Sequence, residues 1–392
     1  MKTAAPTFSA ADIEEMVALR RDLHAHPELA FEEVRTAGIV AERLKALGLE
    51  PRTGVGRTGV LATLAGNRPG RTVLLRADMD ALPIEEENAV PYRSQAPGRM
   101  HACGHDCHVS ILLAVARQLQ RERDALRGSV RLCFQPAEEN GGGAEAMIAD
   151  GALESPKPDA VFGLHVWQDL DLGKIGITPG PFMAAVDAFT VTVSGKGAHA
   201  AMPHLGVDPV VCVAHIVTAL QTIASRGTDP FSQVVVSVTQ IHAGTAFNII
   251  PGTAVMNGTV RVFDPTLWEE LPGRFERIVR GVCDAHGCRA EIQYERCNRP
   301  TVNDPAMAKI ARAAAAEVVG EANVLDDVRT MGGEDFSWFL ARVPGCFIAV
   351  GSRNESKGLT WDHHHPRFDV DEACLEIGAE VLLRTAKKFL AS

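Results

Sequence analysis

Short β-branched or leucine-rich runs alternate with helical patterns along the first half of the chain, and near Gly180-Pro181 that rhythm changes. Few architectures accommodate such a switch. Residues 59–64, 72–76, 130–135 and 160–165 read as strands. Between or before them, 12–24, 32–47, 108–121 and 143–150 carry helical spacing, the first through Ile13, Met16, Val17 and Leu23. Strands alternating with helices indicate an α/β fold with a mostly parallel central sheet flanked by helices. Past the switch, 189–194, 233–241, 255–263 and 289–294 read as strands, and 209–224 and 271–286 as helices. That order, βαββαβ, is the split-βαβ plan of a four-stranded antiparallel sheet with two helices on one face. Residues 185–298 are therefore expected to form an inserted domain. Residues 1–184 and 299–392 would form one discontinuous domain, resumed by a helix over 305–318, a strand over 346–351 and a last helix from 371. The active site is expected where the chain leaves and re-enters that domain.

Charge and cysteine usage exclude several functions. The 39 Lys+Arg against 49 Asp+Glu give a net charge of −10, with no basic block to bind nucleic acid or an anionic membrane. Nine scattered cysteines do not form a disulfide framework. Residues 1–11 lack the basic and apolar regions of a signal peptide. No stretch has the uncharged apolar length to cross a bilayer. The cytoplasm is the expected compartment, with thiols free to bind metal.

The octet His101-Ala102-Cys103-Gly104-His105-Asp106-Cys107-His108 places three histidines, two cysteines and an aspartate beside a helix start. Thiolate and imidazole both suit borderline divalent metals, so the segment reads as a metal site rather than a loop whose histidines cap a helix. No second C-x-x-C or H-x-x-x-H lies nearby, which disfavours a zinc finger. Glu138 and Glu139 follow an apolar strand at the end where open α/β sheets place ligands. Adjacent side chains in extended chain point to opposite sides, so one carboxylate can ligate while the other handles protons. Asp78 and Asp80 close another apolar run, and Asp80 suits a partner that orients a metal-bound histidine. His165 lies inside an apolar strand, where an unpaired imidazole is costly, and the neighbouring candidates favour a ligand role. Residues 363–365 offer three successive imidazoles. Within the inserted domain, His199, Asn248 and Arg261 supply an imidazole, an amide and a guanidinium that suit an oxyanion and a substrate carboxylate. Arg261 equally suits a structural pairing with an acid.

Read in order, RRDLHAHPELAFEE, LLRADMDALPI, HACGHD, FQPAEE, GLHVW, GKGAHAAMPHLGVDPV, GTAFNIIPG, MGGEDF and HHPRFDVDE span nearly the whole chain. In these motifs it resembles the aminoacylase/carboxypeptidase family of metallohydrolases, in its hippurate hydrolase and N-acyl-amino-acid amidohydrolase branch. The resemblance implies an α/β catalytic domain with an inserted ferredoxin-like α+β lid that also dimerises. It implies two divalent metal ions, Zn²⁺ or Mn²⁺ with Co²⁺ or Ni²⁺ as further options, held by Cys103, His105, Glu139, His165 and His364. Glu138 matches the general base, Asp80 the acid supporting the metals, and His199 the histidine stabilising the tetrahedral intermediate. Asn248 and Arg261 match positions that bind the substrate carboxylate. The implied reaction splits N-acyl amino acids into carboxylic acid and free amino acid, in a homodimer or dimer-based oligomer. A metallo-carboxypeptidase or dipeptidase on the same scaffold is the alternative, and a metal-binding protein without catalysis is the alternative of another class. One departure stands out: Cys107 replaces a common glycine, and implies either oxidation sensitivity or a neutral packing change.

Overall fold

The computed structural model describes residues 6–139 and 142–392. Of the stretch expected to carry no signal, residues 1–5 lie outside them. Two compact units emerge: 1–180 with 302–329 and 335–392, and 181–301 with 330–334.

In the first unit an eight-stranded sheet carries, at its centre, the parallel neighbours Arg127–Gln135, Arg68–Asp78, Ala160–Asp171 and Gly345–Arg353. Gly59–Ala65 joins one side antiparallel, followed by Arg52–Val55; Ile175–Gly176 and Val324–Leu325 complete the other. Central strands with both faces covered need apolar side chains on both, and Val73, Leu74 and Leu75 are fully buried. Helices Ala10–Ala25, His105–Arg121 and Ala373–Ala391 share one core with this sheet. The short edge strands were not legible as strands, because two- or four-residue segments carry no periodicity.

The second unit builds its sheet in the order Val234–Ala243, Thr253–Val262, Ala185–Ser194, Arg289–Asn298, antiparallel throughout. Helices Pro209–Leu220 and Pro265–His286 share its apolar core. This is the ferredoxin-like order. The unit also takes in Thr330–Glu334, which the sequence pattern alone assigns to the first domain. Backbone pairing explains this: Thr330 bridges Met183, and Ala184 N–H donates to the carbonyls of Thr330 and Gly332.

Capping sets the helix starts. Asp208, Asp264 and Asp304 each precede a proline at the first helical position and accept the next two N–H groups. For that reason the helix expected from residue 271 begins at Pro265 and runs through Pro272. Among the described residues, no helix is long and apolar enough to cross a membrane.

Candidate metal centre

The parallel strands deliver their chemistry at their C-terminal ends. Arg68–Asp78 leads into Met79 and Asp80, and Arg127–Gln135 leads into Glu138 and Glu139. His165 lies within Ala160–Asp171, opposite Ala349. Cys103 and His105 flank Gly104, which has φ +85° and stands just before the helix His105–Arg121. A Cβ on Gly104 would lie 2.3 Å from Val166 Cγ2, so both the left-handed backbone and the close approach require glycine.

Sidechains from these segments converge. Cys103 Sγ is 3.4 Å from His165 Nε2, and His105 Nε2 faces Glu139 Oε1 at 3.9 Å. Glu139 Oε2 lies 3.4 Å from His364 Nε2. Potential ligand atoms fall within 4.8 Å of one another in the sets Cys103/His105/His165, Cys103/Glu139/His364 and His105/Glu138/Glu139. The last set departs from the expectation that adjacent carboxylates diverge. Ala137 takes φ +51° and leads into a turn at Glu138 and Glu139 rather than extended chain, and both glutamates reach the same histidine. Of the three successive imidazoles, His364 meets Glu139. His363 Nε2 instead accepts the Gln168 N–H, and the His365 ring stacks on Trp361 at 4.2 Å.

Asp80 organises this arrangement. Its Oδ1 pairs with His105 Nδ1 at 3.2 Å and accepts Glu138 N–H at 3.0 Å, while Oδ2 accepts Glu139 N–H at 3.0 Å. His165 Nδ1 donates to the Val166 carbonyl at 2.5 Å. Both imidazoles are thereby turned so that Nε2 faces the cluster.

The electrostatics fit a cation. Burial, then Glu139 and Glu138, raise the Cys103 thiol well above its ordinary pKa. Burial opposes charge on His105, but Asp78, Asp80 and Glu139 outweigh it and lift the pKa to about 10. Burial opposes ionisation of Glu139, yet His364 and His105 hold its pKa below the usual range. Two buried atoms facing each other, His105 Nε2 and Glu139 Oε1, have no hydrogen-bond partner. Unpartnered buried ligand atoms beside a thiol and further imidazoles are what a divalent metal satisfies. The donor set therefore fits divalent metal ions.

Around this cluster lie residues whose part the sequence reading left open. Asp78 Oδ1 accepts from His108 Nδ1 at 2.5 Å, and His108 Nε2 accepts the Val166 N–H at 2.9 Å. Strand end, helix start and the strand bearing His165 are tied together in this way. Arg76 reaches Asp78 and, at 3.0 Å, Asp335, whose N–H donates to Glu138 Oε1 at 3.3 Å. Asp78 and His108 stood in the motifs already noted; only their contacts were invisible. Cys107 is fully buried, and its N–H donates to Asp106 Oδ1.

In the second unit, His199 is exposed and pairs in a short ladder with Ile249, while Ala200 N–H donates to the Asn248 carbonyl. His199 and Asn248 are thus neighbours. Arg261 stands on Thr253–Val262, donates to Thr259 Oγ1 at 3.0 Å and reaches the Met331 carbonyl at 3.4 Å. Burial lowers its pKa.

Comparison with known proteins places this arrangement. The model of peptidase family M20/M25/M40 matches residues 74–388. An N-acyl-L-amino acid amidohydrolase of Geobacillus stearothermophilus is 48% identical over 290 residues, 74% of this chain and 78% of that protein. An N-acetyl-L-cysteine deacetylase of Bacillus subtilis is 40% identical over 379 residues, 97% of this chain and 89% of that one. Among solved structures, a dinuclear metal-binding peptidase of the M20 family from Bacillus subtilis superimposes with TM-score 0.86 at 34% identity, covering 98% of this chain and 99% of the other. The chain belongs to peptidase family M20/M25/M40 and is an amide-cleaving enzyme of it.

Proposed function

We propose that the protein is a two-metal amidohydrolase that splits N-acyl amino acids into a carboxylic acid and a free amino acid. One observation carries the reading. Glu138 and Glu139 both lie within ligand distance of His105, on a backbone clasped by Asp80. Relatives that deacylate N-acyl amino acids support the substrate class.

Cys103, His105, Glu139, His165 and His364 would hold two divalent cations, Zn²⁺ or Mn²⁺ and alternatively Co²⁺ or Ni²⁺. Such ions supply a water of lowered pKa and a Lewis-acid contact for the scissile carbonyl. Glu138 accepts the proton of the attacking water and passes it to the departing nitrogen. Asp335 N–H, donating to Glu138 Oε1, holds that carboxylate in place between the two transfers. His199 donates to the developing oxyanion, and Asn248 and Arg261 hold the substrate carboxylate.

The second unit would serve as lid and dimerisation domain. Its edge strand Val234–Ala243 carries Ile241, 50% exposed, and its helix Pro209–Leu220 presents Val210 and Val211, 43% and 45% exposed. An open strand edge and exposed aliphatics on the same unit suit pairing with a second copy. Light scattering on a size-exclusion column should give twice the chain mass. All nine cysteines are free thiols, which supports a cytoplasmic location.

Purified protein offered hippurate, N-acetyl amino acids and dipeptides should release amine fastest from the N-acyl amino acids, and a chelator should stop it. Faster dipeptide cleavage would instead identify a dipeptidase, and no release from any of them a protein without catalysis.

A further inference from the structure

The segment carrying Glu138 and Glu139 is held in an unusual conformation by a residue far away in sequence. Ala137, directly before the two glutamates, takes φ +51°, and Phe31 takes φ +62°. L-residues occupy this left-handed region at a cost, so something must hold them there. One oxygen does so for both. Glu33 Oε1 accepts the Ala137 N–H at 2.8 Å and the Phe31 N–H at 3.0 Å, while Oε2 receives the Thr58 hydroxyl at 2.5 Å. Glu33 and Ala137 are both fully buried. On its other side, the Ala137 carbonyl accepts the N–H groups of Gly142 and Gly143.

Three successive backbone N–H groups thus end on two buried carboxylates: that of Ala137 on Glu33, and those of Glu138 and Glu139 on Asp80. If Ala137 relaxed to an ordinary φ, the two following N–H groups would swing away from Asp80 and their side chains would be re-aimed. We propose that Glu33 is a positioning residue: it locks Ala137 in the left-handed conformation and so aims Glu138 and Glu139 at the metal cluster. The proposal rests on the reading of Glu138 as base and Glu139 as ligand. It gives a task to the N-terminal AFEE motif, which the reaction itself leaves unused.

Geometry rather than charge is what Glu33 contributes. Its partners are two N–H groups and a hydroxyl, and a glutamine can meet all three: its carbonyl accepts both N–H groups while its amide donates to Thr58 Oγ1. Burial also raises the Glu33 pKa, so the site does not favour the charged form.

The test uses the metal-loaded enzyme and three variants, read by kcat, KM and Mn²⁺ affinity from calorimetry. Glu33→Ala should lower kcat by roughly 10-fold or more with KM within about twofold, because misplaced reacting groups cost rate rather than substrate binding. It should also weaken Mn²⁺ binding by about 10-fold, since Glu139 is no longer aimed. Glu33→Gln should stay within about twofold of wild type in all three readings. Adding Ala137→Gly to Glu33→Ala should recover part of the lost kcat, because glycine enters the left-handed region without penalty. Unchanged kcat in Glu33→Ala, loss in Glu33→Gln equal to that in Glu33→Ala, or no recovery with glycine would each overturn the proposal. Should Glu33→Ala not fold, Thr58→Val removes one of the three anchors: a fall in kcat of about threefold supports the assignment, and no change refutes it. A wild-type protein that hydrolyses no N-acyl amino acid would sink the functional reading, and the Mn²⁺ affinities of wild type and variants would still decide the role of Glu33.

Discussion

Nδ1 of His105 lies 3.2 Å from Oδ1 of Asp80, and the same carboxylate receives the backbone N–H groups of the two adjacent glutamates. One side chain thereby sets the tautomer of an imidazole, the direction of its Nε2 and the path of the loop that carries both carboxylates. Replacing it should disturb metal and base together. Asp80→Asn keeps the shape but turns one oxygen into a donor that faces an N–H. We expect Mn²⁺ affinity and kcat each to fall by about 10–100-fold. Equilibrium dialysis and steady-state kinetics would check this, and an unaltered affinity would exclude the clasp.

Glu138 is expected to act on protons and not on the metals. Glu138→Gln should cut kcat by about 10²–10⁴-fold while the metal content per chain stays that of wild type. Elemental analysis run beside the assay separates the two effects; lost metal would make Glu138 a ligand instead.

The histidine run gives a contrast within three residues. His364 Nε2 is 3.4 Å from Glu139, whereas His365 stacks on Trp361. His364→Ala should therefore lose close to one metal equivalent per chain, and His365→Ala none. Equal losses from both would place the ligand wrongly.

His105 makes the response to metal depend on pH. Its pKa in the metal-free fold is raised to about 10, against about 6.5 in unfolded chain. The stability its charge contributes is fully present below about 6.5 and is lost as pH climbs through about 10. Metal-bound His105 is neutral at Nε2 and lacks this contribution. The Tm of the metal-free protein should therefore fall between about pH 6.5 and about pH 9.5, and the rise in Tm on adding Mn²⁺ should widen over the same interval. Scanning fluorimetry with and without metal reads both; a gap that narrows with pH contradicts the assignment.

Arg20 makes a structural prediction away from the chemistry. Fully buried, it donates to Asp106 at 2.9 Å and to Asp369 at 2.7 Å. Arg20→Met would leave the buried Asp369 without its cation and Asp106 with only His24, 2.8 Å away, at a cost of about 3–5 kcal/mol. Urea unfolding of the metal-free protein should show a loss of that size, against under about 1 kcal/mol for an exposed pair such as Arg280–Glu276.

Much of this was legible in the chain itself. Apolar runs such as 72–76 announced buried parallel strands, the βαββαβ order announced the second unit, and the density of His, Cys and acid in 101–108 announced a metal site. These are local signals: periodicity, spacing and composition act over a few residues and survive without the fold. The helix beginning at Pro265 was equally local, written in Asp264-Pro265, but it was masked by Pro272.

Other features needed tertiary structure. The resemblance singled out His364 among three adjacent imidazoles, but the reason it meets Glu139 is a loop path fixed by contacts such as His364 N–H to the Ala102 carbonyl, 262 positions apart by subtraction of the residue numbers. The divergence expected of Glu138 and Glu139 followed from an extended chain, whereas the fold puts them in a turn entered through the left-handed Ala137, with N–H groups held by the distant Glu33 and Asp80. The assignment of Thr330–Glu334 to the second unit rests on backbone pairing with Met183 and Ala184. The sequence by itself determined which chemical groups this protein owns and the class of fold that carries them, because composition and periodicity are properties of neighbouring residues. Their aim was decided by the folded chain, because hydrogen bonds between segments far apart in sequence exist only once those segments have met.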